Sequence, residues 1–216
     1  MPDPVNLLQV LGDKYGTDKG QSSHTYFGRS YLDIYHSYFA AERESFKTVF
    51  EIGVLRGESL RMWEEYFPKA EIWGLDINPA AASVKSAIIR VVTGSQTDPD
   101  AIACVAPKNN FDLVVDDGSH VVNHIVRTFE LIWPRVNPGG FYCIEDLGLS
   151  YADIKESLVH WPGQTCNSPD TDYDNAAHRP ALDALLLGKI KNMDCLHGDT
   201  AFIHFYPNLC IIRKAP

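Results

Sequence analysis

Between Val49 and Asp146, short apolar segments alternate with segments of helical periodicity, and this alternation restricts the possible folds more than any other feature. The predicted strands cover residues 49–53, 71–76, 88–92, 111–116 and 141–146. The predicted helices cover residues 57–67, a segment that starts near Pro79, residues 99–105 and residues 120–133. Strands and helices that alternate in this way form βαβ units, in which a parallel sheet is covered on both faces.

Both ends of the chain add elements to this alternating core. Residues 4–12 and 26–39 are predicted as helices, and the tyrosines of the second either pack on the core or line a ligand cavity. Residues 200–206 and 209–213, joined by Pro207-Asn208, predict a hairpin. The expected fold is α/β: a Rossmann-like, doubly wound, mostly parallel seven-stranded sheet with a C-terminal antiparallel β-hairpin and an N-terminal helical lid.

We expect one domain with four consecutive parts, because the sequence shows no repeat and no linker. The parts are a helical lid over residues 1–45, a cofactor-binding core over 46–147, an insert over 148–199 and a closing hairpin over 200–216. The insert is expected to contact the acceptor or another subunit, so a homo-oligomer is one possible assembly. Its predicted helices cover 152–160 and 181–191, on either side of a polar loop over 162–174.

The 216 residues carry a formal net charge of −9, from 19 basic and 28 acidic side chains. No run of lysine or arginine interrupts this balance, so binding to nucleic-acid phosphates is not expected. The N-terminus lacks the regions of a secretion signal, and no stretch is apolar over the ~18 residues that a membrane span requires. We therefore expect a cytoplasmic protein without a membrane partner. The five cysteines include no Cys-x-x-Cys pair, and Cys143 and Cys210 are expected in the core.

Acidic residues stand at the ends of four predicted strands. They are Glu51, Asp76, Asp116, Asp117, Glu145 and Asp146. Because the carboxyl ends of parallel strands lie along one edge of the sheet, six carboxyl groups are expected around one crevice. Like charges in such proximity require positive compensation. The pattern therefore predicts a bound cation or a cationic ligand.

A turn with two glycines, Gly53-Val-Leu-Arg-Gly57, follows the first predicted strand. Its G-x-x-x-G spacing differs from the dinucleotide-binding G-x-G-x-x-G and disfavours a nicotinamide oxidoreductase. Asp76, at the end of the second strand, is placed to accept hydrogen bonds from ribose hydroxyls. S-adenosylmethionine carries a sulfonium cation and no phosphate, so it suits an acid-lined crevice better than a pyrophosphate cofactor.

Asp117, Glu145 and Asp146 are hard oxygen donors that suit Mg²⁺ or a similar divalent ion. The alternatives are zinc held by His120 and His124 as a helical pair, and a salt-bridge cluster without a metal. His120 is the candidate general base, because imidazole transfers protons near neutral pH. Its alternative role is a hydrogen bond to the backbone at a helix start.

Residues 50–63, 74–77, 114–120, 139–146 and 204–206, with the loop Lys14-Tyr-Gly-Thr-Asp-Lys19, share a joint pattern. This pattern resembles the class I, metal-dependent sugar O-methyltransferases of antibiotic biosynthesis, of the macrocin and mycinamicin type. The resemblance covers roughly residues 12–147 and 198–213. It implies transfer of a methyl group from S-adenosylmethionine to a hydroxyl of a small natural product or its sugar.

The resemblance also implies roles for individual positions. Gly53 and Gly57 line the methionine and ribose, Asp76 binds the ribose diol, Ser95 and Gln96 approach the adenine, and Thr17 reaches the amino-acid end. Glu51, Ile77 and Asp116 complete the cofactor set, with a structural or helix-capping role as the alternative for Asp116. Asp117, Glu145 and Asp146 hold Mg²⁺, while His120, beside Asp117, takes the acceptor's proton.

Two departures from the family leave the acceptor open. Leu147-Gly-Leu-Ser-Tyr151 stands where members with sugar substrates carry Thr-Ser-Tyr-Trp, and residues 152–199 match poorly. Two rival functions are an enzyme of the same fold that performs cyclisation, elimination or hydroxylation, and a non-catalytic module that binds S-adenosylmethionine.

Overall fold

The computed structural model describes residues 5–20, 25–107, 110–151 and 174–216. Its helices are α1 (Leu7–Tyr15), α2 (Tyr31–Phe39), α3 (Glu58–Tyr66), α4 (Pro99–Cys104), α5 (Val122–Ile132) and α6 (Asn175–Asp194). Its strands are β1 (Thr25–Tyr26), β2 (Arg29–Ser30), β3 (Thr48–Ile52), β4 (Glu71–Asp76), β5 (Ile89–Thr93), β6 (Phe111–Asp116), β7 (Val136–Ile144), β8 (Thr200–Tyr206) and β9 (Leu209–Lys214). Short 3₁₀ turns cover Pro79–Ser83, Trp133–Arg135 and Leu147–Tyr151.

Strands β3 to β9 form one seven-stranded sheet in the order β5-β4-β3-β6-β7-β9-β8, and β1 and β2 pair separately. Strands β3 to β7 are parallel, whereas β9 is antiparallel to both β7 and β8. The predicted mostly parallel, seven-stranded sheet with a C-terminal hairpin is therefore confirmed.

The helices cover both faces of this sheet. All five residues of β3 are buried, as expected for the centre of a covered parallel sheet. Because successive side chains of a strand point to opposite faces, Val49 packs in the core with α1, α2 and α3, while Phe50 packs with α4, α5 and α6.

Two N-terminal predictions need correction. Gly12 was expected to end the first helix, but α1 continues to Tyr15 and ends where Gly16 adopts φ +74°. Gly12 is instead a contact position: a Cβ there would lie 2.2 Å from Leu32 Cδ1, so the missing side chain lets α1 pack closely on α2. The second helix was expected from Tyr26, but α2 begins at Tyr31, because Ser30 and Asp33 form a capping box there.

Further along the chain, one predicted helix is of a different type and several boundaries differ from the prediction. The segment that starts at Pro79 is a single 3₁₀ turn, Pro79–Ser83, and α5 begins at Val122, two residues after the predicted start. The C-terminal helix of the insert runs from Asn175 to Asp194, so it is longer than predicted. The helix expected over 152–160 and most of the loop over 162–174 lie outside the described residues.

Two further predictions concern the cysteines and membrane-spanning helices. Cys143 and Cys210 are buried in the core, as predicted. Among the described residues, no helix combines the length and the apolar character that crossing a membrane requires.

Candidate functional site

The register of the sheet brings the predicted acids to one edge. Ile52 pairs with both Leu75 and Asp116, and Asp116 pairs in turn with Ile144. Strands β3, β4, β6 and β7 therefore end side by side, and the acids that follow them become neighbours. The backbone continues this alignment, because Asp117 N donates to Ile52 O at 3.0 Å and Glu145 N to Asp116 O at 3.0 Å.

Gly53 allows the loops after β3 and β6 to approach each other closely. It adopts φ +86°, and a Cβ at this position would lie 2.0 Å from Asp117 O. No other residue fits both the left-handed backbone and the backbone contact. Gly57 has φ +79°, and its Cβ would lie 2.3 Å from Val84 Cγ1, so both glycines of the turn are required sterically.

Lys19 lies at the centre of the acidic edge. Its side chain is 2% exposed, and Nζ hydrogen-bonds to Asp117 Oδ2 and to Glu145 Oε2, the latter at 2.8 Å. Glu51 Oε1 is 3.6 Å from the same atom. Burial on its own would lower the pKa of Lys19, but these carboxylates outweigh it and hold the pKa well above its usual range. The lysine is therefore a buried cation that partly neutralises the edge.

A tyrosine, a serine and a tryptophan orient the two most buried carboxylates. Glu145 Oε1 accepts a 2.6 Å hydrogen bond from Tyr35, while Glu51 accepts from Ser59 at 2.6 Å and from Trp63. Burial raises the pKa of Glu51, and raises that of Glu145 well above its usual range, although Lys19 opposes both shifts. Lys19 therefore offsets only part of the effect of burial on these two acids.

Asp146 is held by one carboxylate oxygen and presents the other to His120. Its Oδ1 accepts hydrogen bonds from Tyr31 at 2.9 Å and from Asn208 Nδ2 at 2.8 Å. Its Oδ2 lies 3.8 Å from His120 Nε2. Asp117 Oδ1 lies 4.0 Å from the same nitrogen, so both carboxylates flank the imidazole.

Asp117, His120 and Asp146 form a group that could hold a metal ion, with ligand atoms within 4.8 Å of one another. Asp117 and Asp146 belong to the predicted metal set, whereas the third predicted ligand, Glu145, faces Lys19 and Tyr35. Burial raises the pKa of Asp117, which Lys19 and His120 oppose. Two carboxylates with an adjacent imidazole suit a hard divalent ion.

The zinc alternative required His120 and His124 one turn apart on a helix, and the structure separates them. His120 precedes α5 and adopts φ +57°, so it does not share the helical face of His124. His124 is buried, and its Nδ1 is 2.8 Å from Ser119 Oγ. His124 therefore supports the loop that carries His120, through its contact with Ser119.

Asp76 organises the turn after β3. Its Oδ2 accepts hydrogen bonds from Val54 N at 2.8 Å and Leu55 N at 3.0 Å, and its Oδ1 accepts from Asn78 N at 2.8 Å. The carboxylate is half-buried, and Ile77 beside it is 43% exposed. Asp76 therefore fixes the turn that contains Gly53 and Gly57, and lies at an accessible part of the edge.

Gln96 and Asp116 form a buried polar network beneath the acidic edge. Gln96 Nε2 donates to Asp116 Oδ1 at 3.2 Å and to Thr128 at 3.0 Å, while its Oε1 accepts from Ser119 N at 2.7 Å. Asp116 also accepts from Tyr142, and burial raises its pKa to about 7. These contacts match the structural role that was the alternative for Asp116, and the amide of Gln96 is engaged within the protein.

Ser95 and Thr17 complete the predicted cofactor set. Ser95 Oγ lies 2.9 Å from Thr97 Oγ1 in the loop after β5. Thr17 is 6% exposed and stands two residues before Lys19, close to the acidic edge.

Sequence reasoning missed Lys19, Asn208 and the individual roles of Tyr31 and Tyr35. The requirement for positive compensation was the one signal that pointed towards a residue such as Lys19. The alternative that tyrosines of α2 line a site was the signal for Tyr31 and Tyr35, which hydrogen-bond to Asp146 and Glu145.

Comparison with known proteins identifies the central part of the chain. A family model described as "Methyltransferase domain" matches residues 50–147, which include the glycine turn, Asp76 and the loop from Asp116 to His120. Residues 50–147 are a methyltransferase domain. This domain contains β3 to β7, and its last residues carry Glu145 and Asp146.

Curated relatives of this chain are O-methyltransferases of tetracenomycin and mycinamicin compounds, so the predicted resemblance is confirmed. An 8-demethyl-8-alpha-L-rhamnosyl tetracenomycin-C 2'-O-methyltransferase of Streptomyces olivaceus is 32% identical over 96% of this chain and 54% of its own length. The Mycinamicin VI 2''-O-methyltransferase of Micromonospora griseorubida is 35% identical over 72% of this chain and 37% of its own.

A solved structure has the same architecture. The MycE methyltransferase of mycinamycin biosynthesis, in complex with Mg and SAH, superposes with a TM-score of 0.71 and 31% identity. The match covers 96% of this chain and 54% of MycE. The chain thus spans about half the length of several relatives that it matches.

Proposed function

We propose that this methyltransferase chain is an S-adenosylmethionine-dependent, Mg²⁺-dependent O-methyltransferase that acts on a sugar hydroxyl of a small natural product. One observation carries the proposal: four carboxylates, from Glu51, Asp117, Glu145 and Asp146, surround Lys19 and His120. When all four are ionised and the histidine is neutral, the lysine leaves three negative charges uncompensated. A divalent ion and the single net positive charge of S-adenosylmethionine supply three.

The chain provides positions for both bound groups. The turn from Gly53 to Gly57 brings backbone close to the edge, and Asp76 stands at the end of β4, where ribose hydroxyls bind in related folds. Relatives support this assignment, because MycE has been solved with Mg and SAH.

The proposed metal ligands are Asp117, Glu145 and Asp146. Asp117 Oδ1 and Asp146 Oδ2 already converge near His120. In the described structure Glu145 accepts one hydrogen bond at each oxygen, from Lys19 and from Tyr35, and each oxygen keeps a lone pair for a metal ion. When bound, a divalent ion lowers the proton affinity of an acceptor hydroxyl and aligns it.

We assign the proton transfer to His120 Nε2. This atom is flanked by Asp117 and Asp146 at 4.0 and 3.8 Å, and the side chain is 21% exposed, so an acceptor can reach it. The two carboxylates stabilise the imidazolium that forms when Nε2 takes the hydroxyl proton. S-adenosylmethionine, when bound, would supply the methyl group to the acceptor oxygen, with S-adenosylhomocysteine as the leaving group when the carbon–sulfur bond breaks.

Methyl transfer is measured by mass spectrometry with S-adenosylmethionine, Mg²⁺ and a panel of rhamnosylated aromatic polyketides and glycosylated macrolides. His120→Ala should lower turnover by about 10²- to 10⁴-fold, while calorimetry should show unchanged binding of S-adenosylhomocysteine. His197→Ala, at an exposed histidine remote from the acids in sequence, is the matched control and should leave turnover unchanged.

Other outcomes identify the rival functions. Near-normal turnover of His120→Ala would exclude this residue as the base, and turnover after exhaustive chelation would exclude the metal. A product without an added methyl group would indicate another reaction of the same fold. Binding of S-adenosylhomocysteine without turnover on any acceptor would indicate a binding module.

A further inference from the structure

The residue proposed as the base has an unusual backbone. His120 adopts φ +57° in the segment between β6 and α5, and a residue with a side chain adopts this left-handed conformation only when its surroundings hold it there. Because His120 precedes α5, the helix does not determine where the imidazole points. The direction of the ring therefore depends on the groups that bind the backbone around it.

One such group is the side chain of Asn175, the first residue of α6. Asn175 is fully buried, with 0% exposure. Its Nδ2 donates to His120 O at 2.8 Å and to Leu149 O at 3.0 Å, and its Oδ1 accepts from Val122 N at 2.9 Å. The orientation of the amide follows from chemistry, because carbonyl oxygens only accept and a backbone N–H only donates.

The contact with Val122 also satisfies an end of α5. The residue before this helix is Val121, whose side chain cannot accept a hydrogen bond from the first turn. Asn175 supplies that acceptor from another helix. It thus binds backbone groups on both sides of Val121, and fixes His120 relative to α5.

Asn175 itself is held firmly. Asp174 caps α6 by accepting a 3.1 Å hydrogen bond from Ala177 N. Leu182 and Leu186 of the same helix are buried in one core cluster with Val122 of α5. On the N-terminal side of His120 along the chain, Ser119 N donates to Gln96 Oε1 at 2.7 Å. Hydrogen bonds from Asn175 and Gln96 therefore hold the backbone at and just before His120. Of these two side chains, only Asn175 lies after residue 147.

We propose that Asn175 is a positioning residue for proton transfer, acting through the backbone of His120 to direct its imidazole towards Asp117 and Asp146. This inference rests on the proposed role of His120 as the base. It gives the region 148–199 a part in catalysis: α6 holds the base although none of its residues needs to touch the reacting atoms.

A double-mutant cycle tests the proposal, because two residues that act as one unit have non-additive effects. Asn175→Ala should lower kcat by up to about 10²-fold, the cost of a small misplacement of a catalytic group. The KM for S-adenosylmethionine should stay within about twofold, because the substitution removes positioning and not cofactor binding. In the His120→Ala background, Asn175→Ala should cause no further loss of kcat.

Asp183→Asn is the matched control, since it removes only the ion pair with Arg179 on the same helix, where Asp183 is 47% exposed, and leaves the contact with His120. It should leave kcat nearly unchanged. If Asn175→Ala fails to fold, Asn175→Leu keeps most of the volume, loses both the donor for His120 O and the acceptor for Val122 N, and should reproduce the same pattern. Hydrogen exchange of the peptide around residues 117–123 should accelerate in either Asn175 variant and not in Asp183→Asn.

The outcomes separate this inference from the proposed function. If His120→Ala is as active as the native chain, the base assignment fails and the inference fails with it. If His120→Ala is impaired but Asn175→Ala lowers kcat by the same factor in both backgrounds, the base assignment stands and the positioning role is wrong. Unchanged hydrogen exchange around residue 120 in the Asn175 variants would also contradict the inference.

Discussion

Lys19 changes the charge balance of the acidic edge. It is buried beside Asp117, Glu145 and Glu51, so the acidic edge is already partly neutralised by the chain itself. The salt-bridge alternative and the metal hypothesis are therefore compatible: the lysine offsets one charge, and the remaining excess still favours a second cation.

Lys19→Met should be strongly destabilising, because it leaves buried carboxylates without their counter-ion. Loss of one partner of a buried ion pair costs roughly 3–5 kcal/mol. Urea denaturation of the protein without added metal measures the change in the free energy of unfolding. Lys14→Met is the control: Lys14 lies in the last turn of α1 and pairs with Glu65 at the surface, and the two side chains are 53% and 44% exposed. It should leave the midpoint unchanged, and equal shifts in the two variants would refute a structural role for the buried cluster.

At the scale of elements, the turn between β3 and α3 joins the glycines, Asp76 and the loop of Asp117. Gly53 has φ +86° and no room for a side chain, whereas Gly16 has φ +74° and open space around it. Substitutions at these two glycines therefore separate two energetic costs that usually occur together. At Gly16 a new side chain meets only the cost of the left-handed backbone, whereas at Gly53 it also overlaps with Asp117.

Gly16→Ala should cost about 1–2 kcal/mol, the penalty for a left-handed residue with a Cβ. Gly53→Ala should cost more, because its Cβ would also meet Asp117 O, and it should abolish binding of S-adenosylhomocysteine. Thermal unfolding and calorimetry of both variants measure these effects. Similar costs for the two substitutions, with ligand binding retained, would show that the loops can move apart.

At the scale of the whole molecule, ligands that bind only the folded protein should raise its stability. Each of Mg²⁺ and S-adenosylhomocysteine, at 100 times its dissociation constant, should add about 2.7 kcal/mol to the free energy of unfolding. Asp146→Asn should lose the increment from Mg²⁺ and keep that from S-adenosylhomocysteine, because Asp146 is a proposed metal ligand. Asp194→Asn, at the end of α6, should keep both. A full Mg²⁺ increment in Asp146→Asn, measured by thermal unfolding, would remove Asp146 from the metal site.

Most of the fold could be predicted because its signals are local. Strand β6 has the predicted bounds, Phe111–Asp116, since an apolar run that ends in acids is read within a few residues. Boundaries that depend on distant contacts were less predictable. Helix α1 passes through Gly12 because the glycine packs against Leu32, twenty residues further along the chain.

The sequence by itself determined that acids would gather at one edge, because strand periodicity and parallel order place the ends of β3, β4, β6 and β7 together. Only the tertiary structure decided which partner each acid has. Lys19 reaches Asp117 and Glu145 across 98 and 126 positions of sequence, and Asn175 reaches His120 across 55. Such contacts depend on how whole helices and loops pack, whereas a sequence pattern reflects only the properties of residues that are close together along the chain. The charge requirement of the edge was therefore predictable, and the identity of the residues that meet it was not.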